Sequence, residues 1–445
     1  MKKRTTTNSF LLRTVGGLML AGCALVPMAR AESVEDRLAA MEARIRQLET
    51  ELAVAKTAFP APVFREVAAP ASAAFIRKAV MVSPAPAAMA AAAPAPQAEL
   101  SGDLEGLNFF KGVKFGGFLD AYYGFNMNKP TDGKNTYRNF DFEHNSITLA
   151  QADLEIMKPV SESAPLGYML QMGIGPTANA VNGGDFAIGN STAAHFFQYY
   201  LSGRIPTERG VTVDVGKFVT QHGAEVIDTR VNPNYSRGLL FAWAIPYYHF
   251  GVRLTAPVAD TLTLGINLTN GWNNVIDNNG GKTVGFMLNW APTSKFSFIQ
   301  NYMVGPEQAG NSDDIRHMFD SLLTVKLHDK ITFMSNFDYG KDVTGGDNVH
   351  WIGTANYLKF QVNDKFAFTP RFEYFYDVDG FMTGTRQQLK SLTLTPEVVL
   401  SNNLVTRFEF RRDWSTADTF GLGPDSDPND AFSQETVAVG LLLKF

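Results

Sequence analysis

From residue 113 to its end the chain repeats one pattern, in which apolar and polar residues alternate over runs of roughly seven to fourteen residues. Successive side chains of a strand point to opposite faces, so a period of two predicts strands and not helices. In the first run Val113, Phe115, Leu119, Ala121, Tyr123 and Phe125 share one face, opposite Gly116, Asp120 and Gly124. Further on, Ala150, Ala152, Leu154 and Ile156 oppose Gln151, Asp153 and Glu155. Tyr248, Phe250, Val252 and Leu254 oppose His249, Gly251, Arg253 and Thr255. About sixteen such runs are expected, within two either way, starting near 113, 146, 166, 194, 211, 246, 261, 281, 295, 316, 331, 349, 365, 388, 404 and 434. The connections predict an up-and-down meander: short ones near 291–294, 328–330, 361–364 and 401–403 alternate with long ones at 127–145, 175–193, 218–245, 305–315 and 414–433.

The balance of the two faces decides the environment. The apolar face is large and aromatic on nearly every strand, whereas the other is Gly, Thr, Ser, Asn and charged groups, too small and polar for a second packed layer. An outward apolar face and an inward polar one fit a lipid-embedded barrel with aromatic girdles. Lipid requires every backbone polar group to be paired, so the sheet must close. The final run, Glu435 to Phe445, then pairs with the first, near Gly116, and its terminal Phe445 reads as an assembly signal for the outer-membrane barrel assembly machinery. The fold expected is all-β, a transmembrane up-and-down antiparallel barrel of about sixteen strands (14–18). A soluble sandwich or propeller is the alternative, against which no blade-length repeat is visible.

The first hundred residues have another texture. Lys2, Lys3, Arg4 and Arg13 precede an apolar run from Thr14 to Met28 and then Ala29-Arg30-Ala31, so residues 1–31 read as a secretory signal peptide. Leu20-Ala21-Gly22-Cys23 also fits a lipobox. Cys23, the single cysteine, is therefore either discarded with the signal or becomes a lipid-anchored N-terminus. Residues 32–56 carry a heptad seam of Val34, Leu38, Met41, Ile45, Leu48, Leu52 and Ala55, read as a self-associating coiled-coil helix or as a lone amphipathic helix. Residues 57–105 form an Ala/Pro-rich linker, and the barrel occupies 106–445.

Composition narrows the function. A formal net charge of −5 excludes a general nucleic-acid binder. The reading is one of no enzyme and no cofactor: no P-loop, Cys/His metal cluster or G-x-S-x-G occurs, and His144/Ser146 and His195/Ser202 are poorly placed for a nucleophile–base pair. The acidic stretches Asn311–Asp314 and Asp425–Asp430 lack the spacing of a Ca²⁺ loop, so no metal is expected. About sixteen strands enclose an aqueous channel. Alternation turns Asp120, Asp153, Glu155, Asp214, Arg253, Lys326, Asp338, Arg371, Glu373, Arg407, Glu409 and Arg411 toward it, as a filter or as charge pairs that keep the wall soluble. From residue 101 onward the chain has 27 basic and 36 acidic residues, which predicts a mild cation preference. Segment 218–245 is too apolar for a solvated loop; Gly223 to Ile227 reads as a helical turn and Asn232-Pro233-Asn234 as a chain reversal. Two placements are open: inside the barrel, narrowing it with Glu225, Asp228, Arg230 and Arg237, or outside as a cap or subunit contact.

Four stretches, "FGGFLDAYYGFNMNKP", "DFEHNSITLAQADLEIMKP", "GAEVIDTRVNPNYSRGLLFAWAIPYYHFGVRLT" and "TRFEFRRDWS", resemble the OmpL-like β-barrel porins of Gram-negative outer membranes, over about 113–445. The resemblance implies an outer-membrane barrel and a pore, and supplies no substrate. Passive diffusion of small hydrophilic solutes or ions is expected. The competing expectation is a structural barrel whose periplasmic coiled coil tethers the envelope. Expected partners are outer-membrane lipid, the assembly machinery, two further copies in a homotrimer, and peptidoglycan through the N-terminal helix.

Overall fold

The structure is a computed structural model that describes residues 98–99, 112–187, 193–423 and 431–445. The chain divides into two units, residues 1–69 and 70–445, and every described residue belongs to the second. The signal peptide, Cys23, the coiled-coil helix, nearly all of the linker and the Asp425–Asp430 stretch lie outside the described residues. Ala98 and Glu99 form a two-residue strand opposite Phe115 and Lys114.

Sixteen antiparallel strands follow: β1 Lys114–Asn126, β2 Ser146–Lys158, β3 Leu166–Ile174, β4 Phe196–Ile205, β5 Val211–Val219, β6 Tyr248–Ala259, β7 Leu262–Thr269 and β8 Thr283–Thr293. The second half comprises β9 Phe296–Gln308, β10 Asn311–His328, β11 Ile331–Thr344, β12 Asp347–Asn363, β13 Phe366–Asp377, β14 Gln387–Ser401, β15 Leu404–Ser415 and β16 Ser433–Lys444. Each pairs with its chain neighbours, and β16 pairs with β1, so the sheet closes. Closure sets Gly440 opposite Tyr122, and the terminal Phe445 exchanges backbone hydrogen bonds with Gly117 at 3.0 and 3.1 Å. The last strand thus satisfies its edge on the first, as lipid demands.

Outward residues are apolar and exposed, including Ile147, Leu201, Leu441 and Leu443. Phe286, Tyr302, Phe319 and Tyr339 sit opposite one another on β8 to β11, a continuous outer aromatic row whose Tyr302–Phe319 rings are 4.5 Å apart. Two positions depart from simple alternation. On β2 the register shifts between Asp120 and Ala121 of its partner, so Ala150 is the extra residue of a bulge. Leu149 and Ile147 are therefore the exposed residues, and Ala150 is buried against Tyr122 and Tyr235. Tyr248, expected on the exposed face, is fully buried, its hydroxyl bonded to Asp185 at 2.9 Å. Asp185 belongs to helix α1 (Pro176–Ala187), which lies against β2–β4.

The connections also differ from the expected alternation. At one end all are short, from two residues at 260–261 to seven at 159–165. At the other, six are long, but 309–310 and 345–346 are two-residue turns. The stretch 305–315 is not a loop: β9 and β10 continue through it, and β10 starts at 311. Gly345 and Gly346 both have positive φ (61° and 92°), as a type I′ turn requires. β9–β12 extend beyond the apolar band, and there Asn311, Ser312 and Asp313 no longer alternate because neither face meets lipid.

Candidate functional site: a loop seated inside the barrel

The inward wall is not uniformly polar. Met287, Ile299, Met303, Met318, Leu322, Met334, Trp351, Phe375 and Leu389 face inward and are buried. The apolar part of segment 220–247 packs on them as an inner layer: Leu239, Leu240, Phe241, Ala244 and Ile245 join one core with these wall residues. The flexible methionines fill the irregular gap between a curved sheet and a loop. The expectation of an inward face too polar for a second layer is thereby overturned.

The segment leaves β5 and returns to β6, yet its polar groups bond to the far wall. Near its start, the Asn301 amide donates to the Gln221 carbonyl at 2.9 Å, and the Ala224 N–H donates to Asn336 Oδ1 at 2.9 Å. Asp320 fixes both amides, accepting from Asn301 at 2.6 Å and Asn336 at 2.7 Å. Residues 223–227 form no helical turn. Val226 donates to Asn232 Oδ1 at 2.8 Å, closing a tight reversal, and Asp228 caps a 3₁₀ turn at Thr229–Val231. Beyond it, Thr229 and Tyr235 hydroxyls donate to Asp120 at 2.6 and 2.8 Å. Tyr235 and Ser236 N–H groups donate to Glu409 at 2.9 and 3.1 Å. Helix α2 (Leu239–Trp243) then starts with the N–H groups of Gly238 and Leu239 aimed at Glu225 (2.5 Å) and Glu373 (2.7 Å). Carboxylates there satisfy donors that a helix start leaves unpaired. Because β13 is diametrically opposite β5 in a ring of sixteen strands, these bonds carry the loop across the lumen.

Arginines complete the seat. Arg371 donates to Glu225 at 2.6 Å and to the Ser236 carbonyl at 2.7 Å, and pairs with Glu373 at 3.0 Å. Arg407 donates to the Thr229 carbonyl at 2.7 Å while paired with Glu397 at 2.6 Å. Arg411 donates to the Arg237 carbonyl at 2.7 Å and pairs with Asp413 at 2.7 Å.

The expected lumen charges therefore have several fates. Asp120, Arg371, Glu373, Arg407, Glu409 and Arg411 come together around the loop and are sealed by it. Asp153 accepts from Gln151 at 2.9 Å, and Glu155 pairs with Arg230. Arg253 faces Asp214 across β5–β6 at 2.7 Å. Asp338 is buried beside Asp320 and Asn336. Lys326 stays apart at the tight-turn end with Asp329, 3.3 Å away. Of the loop candidates, Glu225 meets Arg371, Asp228 and Arg230 pair at 2.7 Å, and Arg237 turns back on its own loop, donating to Thr229 Oγ1 at 2.8 Å. Sequence reasoning missed Asn234, Tyr235 and Ser236. Asn234 donates to Thr395 Oγ1 at 2.7 Å, and the Asn-Pro-Asn reversal was the only sequence signal of its placement.

Gly440 explains one close approach. A Cβ there would lie 2.3 Å from the Tyr235 ring. Gly440→Val is expected to expel that ring and its bond to Asp120, exposing Arg230 and Arg237 to trypsin; unchanged resistance to limited tryptic cleavage would contradict this.

At the long-loop rim His144 accepts a hydrogen bond on Nδ1 from the Asn126 N–H at 2.9 Å. Partial burial, and then nearby Lys129, hold its pKa below the ordinary histidine value. The imidazole is neutral in the fold, so its contribution is fully present above the unfolded value and is lost as pH falls through the folded one. Hydrogen exchange at the Asn126 amide should accelerate on acidification through that window, beyond the change seen in His144→Gln.

Solved structures share the architecture. Outer-membrane-expressed OmpT of Vibrio cholerae superposes with a TM-score of 0.52 at 12% identity, covering 78% of this chain and 100% of that one. An anion-selective porin from Comamonas acidovorans gives 0.52 at 11% identity, covering 75% and 99%. At these identities the likeness is one of fold. No curated protein sequence matches the chain. The family described as "putative beta-barrel porin-2, OmpL-like" matches residues 112–445, the whole barrel, and the chain belongs to that porin family.

Proposed function

We propose that this protein is an outer-membrane porin that lets small hydrophilic solutes or ions diffuse passively. The observation that carries this reading is the seated loop, which crosses a closed barrel of sixteen strands and narrows a lumen that sixteen strands would otherwise leave wide. Selection is by size at the loop and by the charges left facing water beside it. In this reading the tight-turn end, which also holds Phe445, faces the periplasm. The N-terminal segment lies on that side, where its coiled coil joins three copies or reaches toward peptidoglycan. Lipid surrounds the exposed apolar face, and Phe445 serves the assembly machinery.

The apolar seating of the loop favours a second reading, in which the lumen is plugged and the barrel is an anchor for an envelope tether. Planar-bilayer recording of the refolded protein in KCl separates the two. Stepwise openings of fixed size support the pore; a well-folded barrel that never conducts leaves the anchor.

A further inference from the structure

The outward surface carries one group of basic residues that an apolar band does not require. Just beyond the outer aromatic row, toward the long loops, His317 of β10, Lys341 of β11 and His350 of β12 sit directly opposite one another. Opposite residues of an antiparallel pair share a face, here the outward face of Phe319, Tyr339 and Ile352. Three basic side chains therefore stand side by side, with neighbouring Cα atoms about 5 Å apart. Two residues of strand separate them from Phe319, Tyr339 and Ile352, a rise of about 7 Å. Aromatic girdles mark the edge of the hydrocarbon, so the row lies at the depth of lipid headgroups.

Each histidine is held by a tyrosine of the preceding strand. The Tyr302 hydroxyl is hydrogen-bonded to His317 Nδ1 at 2.8 Å, and the Tyr339 hydroxyl to His350 Nδ1 at 3.0 Å. The rings of both pairs stack, at 28° and 27°. The same diagonal contact thus occurs on two successive hairpins, with Lys341 between them. It fixes both imidazoles and leaves Nε2 of each to meet a ligand. A third outward tyrosine, Tyr376 of β13, accepts from Arg386 at 3.3 Å and sits opposite Ile352, two residues from His350.

The acids nearby are engaged elsewhere. Asp342, next to Lys341 in the chain, is buried on the inward face and pairs with Arg316 at 2.6 Å, and Asp379 accepts from the His350 N–H at 2.9 Å. Lys282 and Arg412, also toward the long-loop end, pair with Asp277 and Glu435. Among the described residues the Lys341 ammonium has no hydrogen-bond or ion-pair partner. At the edge of a bilayer what an outward ammonium meets is a headgroup.

We propose that His317, Lys341 and His350, with Arg386 at one end, bind the phosphate of an anionic lipid in the leaflet that meets the long loops. A phosphate monoester matches the row, because its three acceptor oxygens and its charge face adjacent donors. The acyl chains then lie along the aromatic row. Which leaflet this is rests on the outer-membrane orientation proposed above, whereas binding does not.

The test uses the full refolded protein in detergent micelles doped with phosphatidic acid or with phosphatidylcholine, and native mass spectrometry counts the lipid retained. Phosphatidic acid should be retained in preference to phosphatidylcholine. K341Q should weaken that binding about fivefold, and H317Q/K341Q/H350Q should abolish the preference. K330Q, at the tight-turn end, should leave it unchanged. Equal retention of the two lipids, or an unchanged preference in the triple variant, overturns the site, and an equal loss in K330Q reduces it to overall charge and overturns it too. Displacement of phosphatidic acid by inorganic phosphate at the same concentration overturns the lipid as occupant. If the triple variant loses the heat-modifiable gel shift of a folded barrel, K341Q alone decides. Retention by a barrel that never conducts removes the pore and keeps the site.

Discussion

Removing residues 224–240 should raise single-channel conductance about two- to fivefold, since it takes a layer of chain out of a sixteen-stranded lumen. The ends left behind are close, because β5 and β6 are neighbours in the sheet and Val219 sits opposite Tyr248. A short connection can therefore replace the long one without disturbing pairing. The deletion bares Met318, Met334, Trp351 and Phe375, so some water-exposed apolar surface is created inside the barrel. The lipid-facing sheet, however, keeps every backbone bond and should still give a heat-modifiable band. Single-channel recording in KCl checks the outcome. An unchanged conductance in a folded barrel would show that the segment does not limit the pore.

The second large effect concerns Arg371, which is fully buried between two buried carboxylates, Glu225 at 2.6 Å and Glu373 at 3.0 Å. Arg371→Leu leaves both acids without a cation, and breaking a buried pair from one side costs about 3–5 kcal/mol. The cost falls on the loop seat, since Glu225 and Ser236 belong to the loop and Glu373 holds the start of α2. The variant should therefore show a loop open to protease and a noisier, larger conductance, with strand pairing intact. Combining Arg371→Leu with Glu225→Gln and Glu373→Gln should recover most of the loss, because it removes the uncompensated charges. Equal protease resistance of wild type and Arg371→Leu would mean that the apolar contacts of Leu239–Phe241 alone hold the segment.

Much of the fold was legible because a lipid-facing barrel writes its geometry locally. Leu441 and Leu443 alternate with Leu442 and Lys444 since lipid is on one side and the lumen on the other, and closure follows from the need to pair every edge. The same rule fails where the environment changes: at Ala150 a bulge shifts the phase, and the ends of β9 and β10 at 305–315 lose the alternation and read as loop.

The lumen was legible only as a list of inward residues. Alternation turns Arg371, Glu373, Arg407, Glu409 and Arg411 inward, but it does not tell whether water or protein meets them. That is decided by where segment 220–247 lies, and its contacts join residues more than a hundred positions apart, such as Tyr235 with Asp120 and Leu239 with Glu373. The sequence by itself determined the strands, their lipid face and the need to close, because those depend on a period of two and one solvent boundary. Only the tertiary structure decided that the loop folds inward and that it consumes most of the lumen charge. Those outcomes depend on which side chains converge across a barrel, which no local pattern encodes.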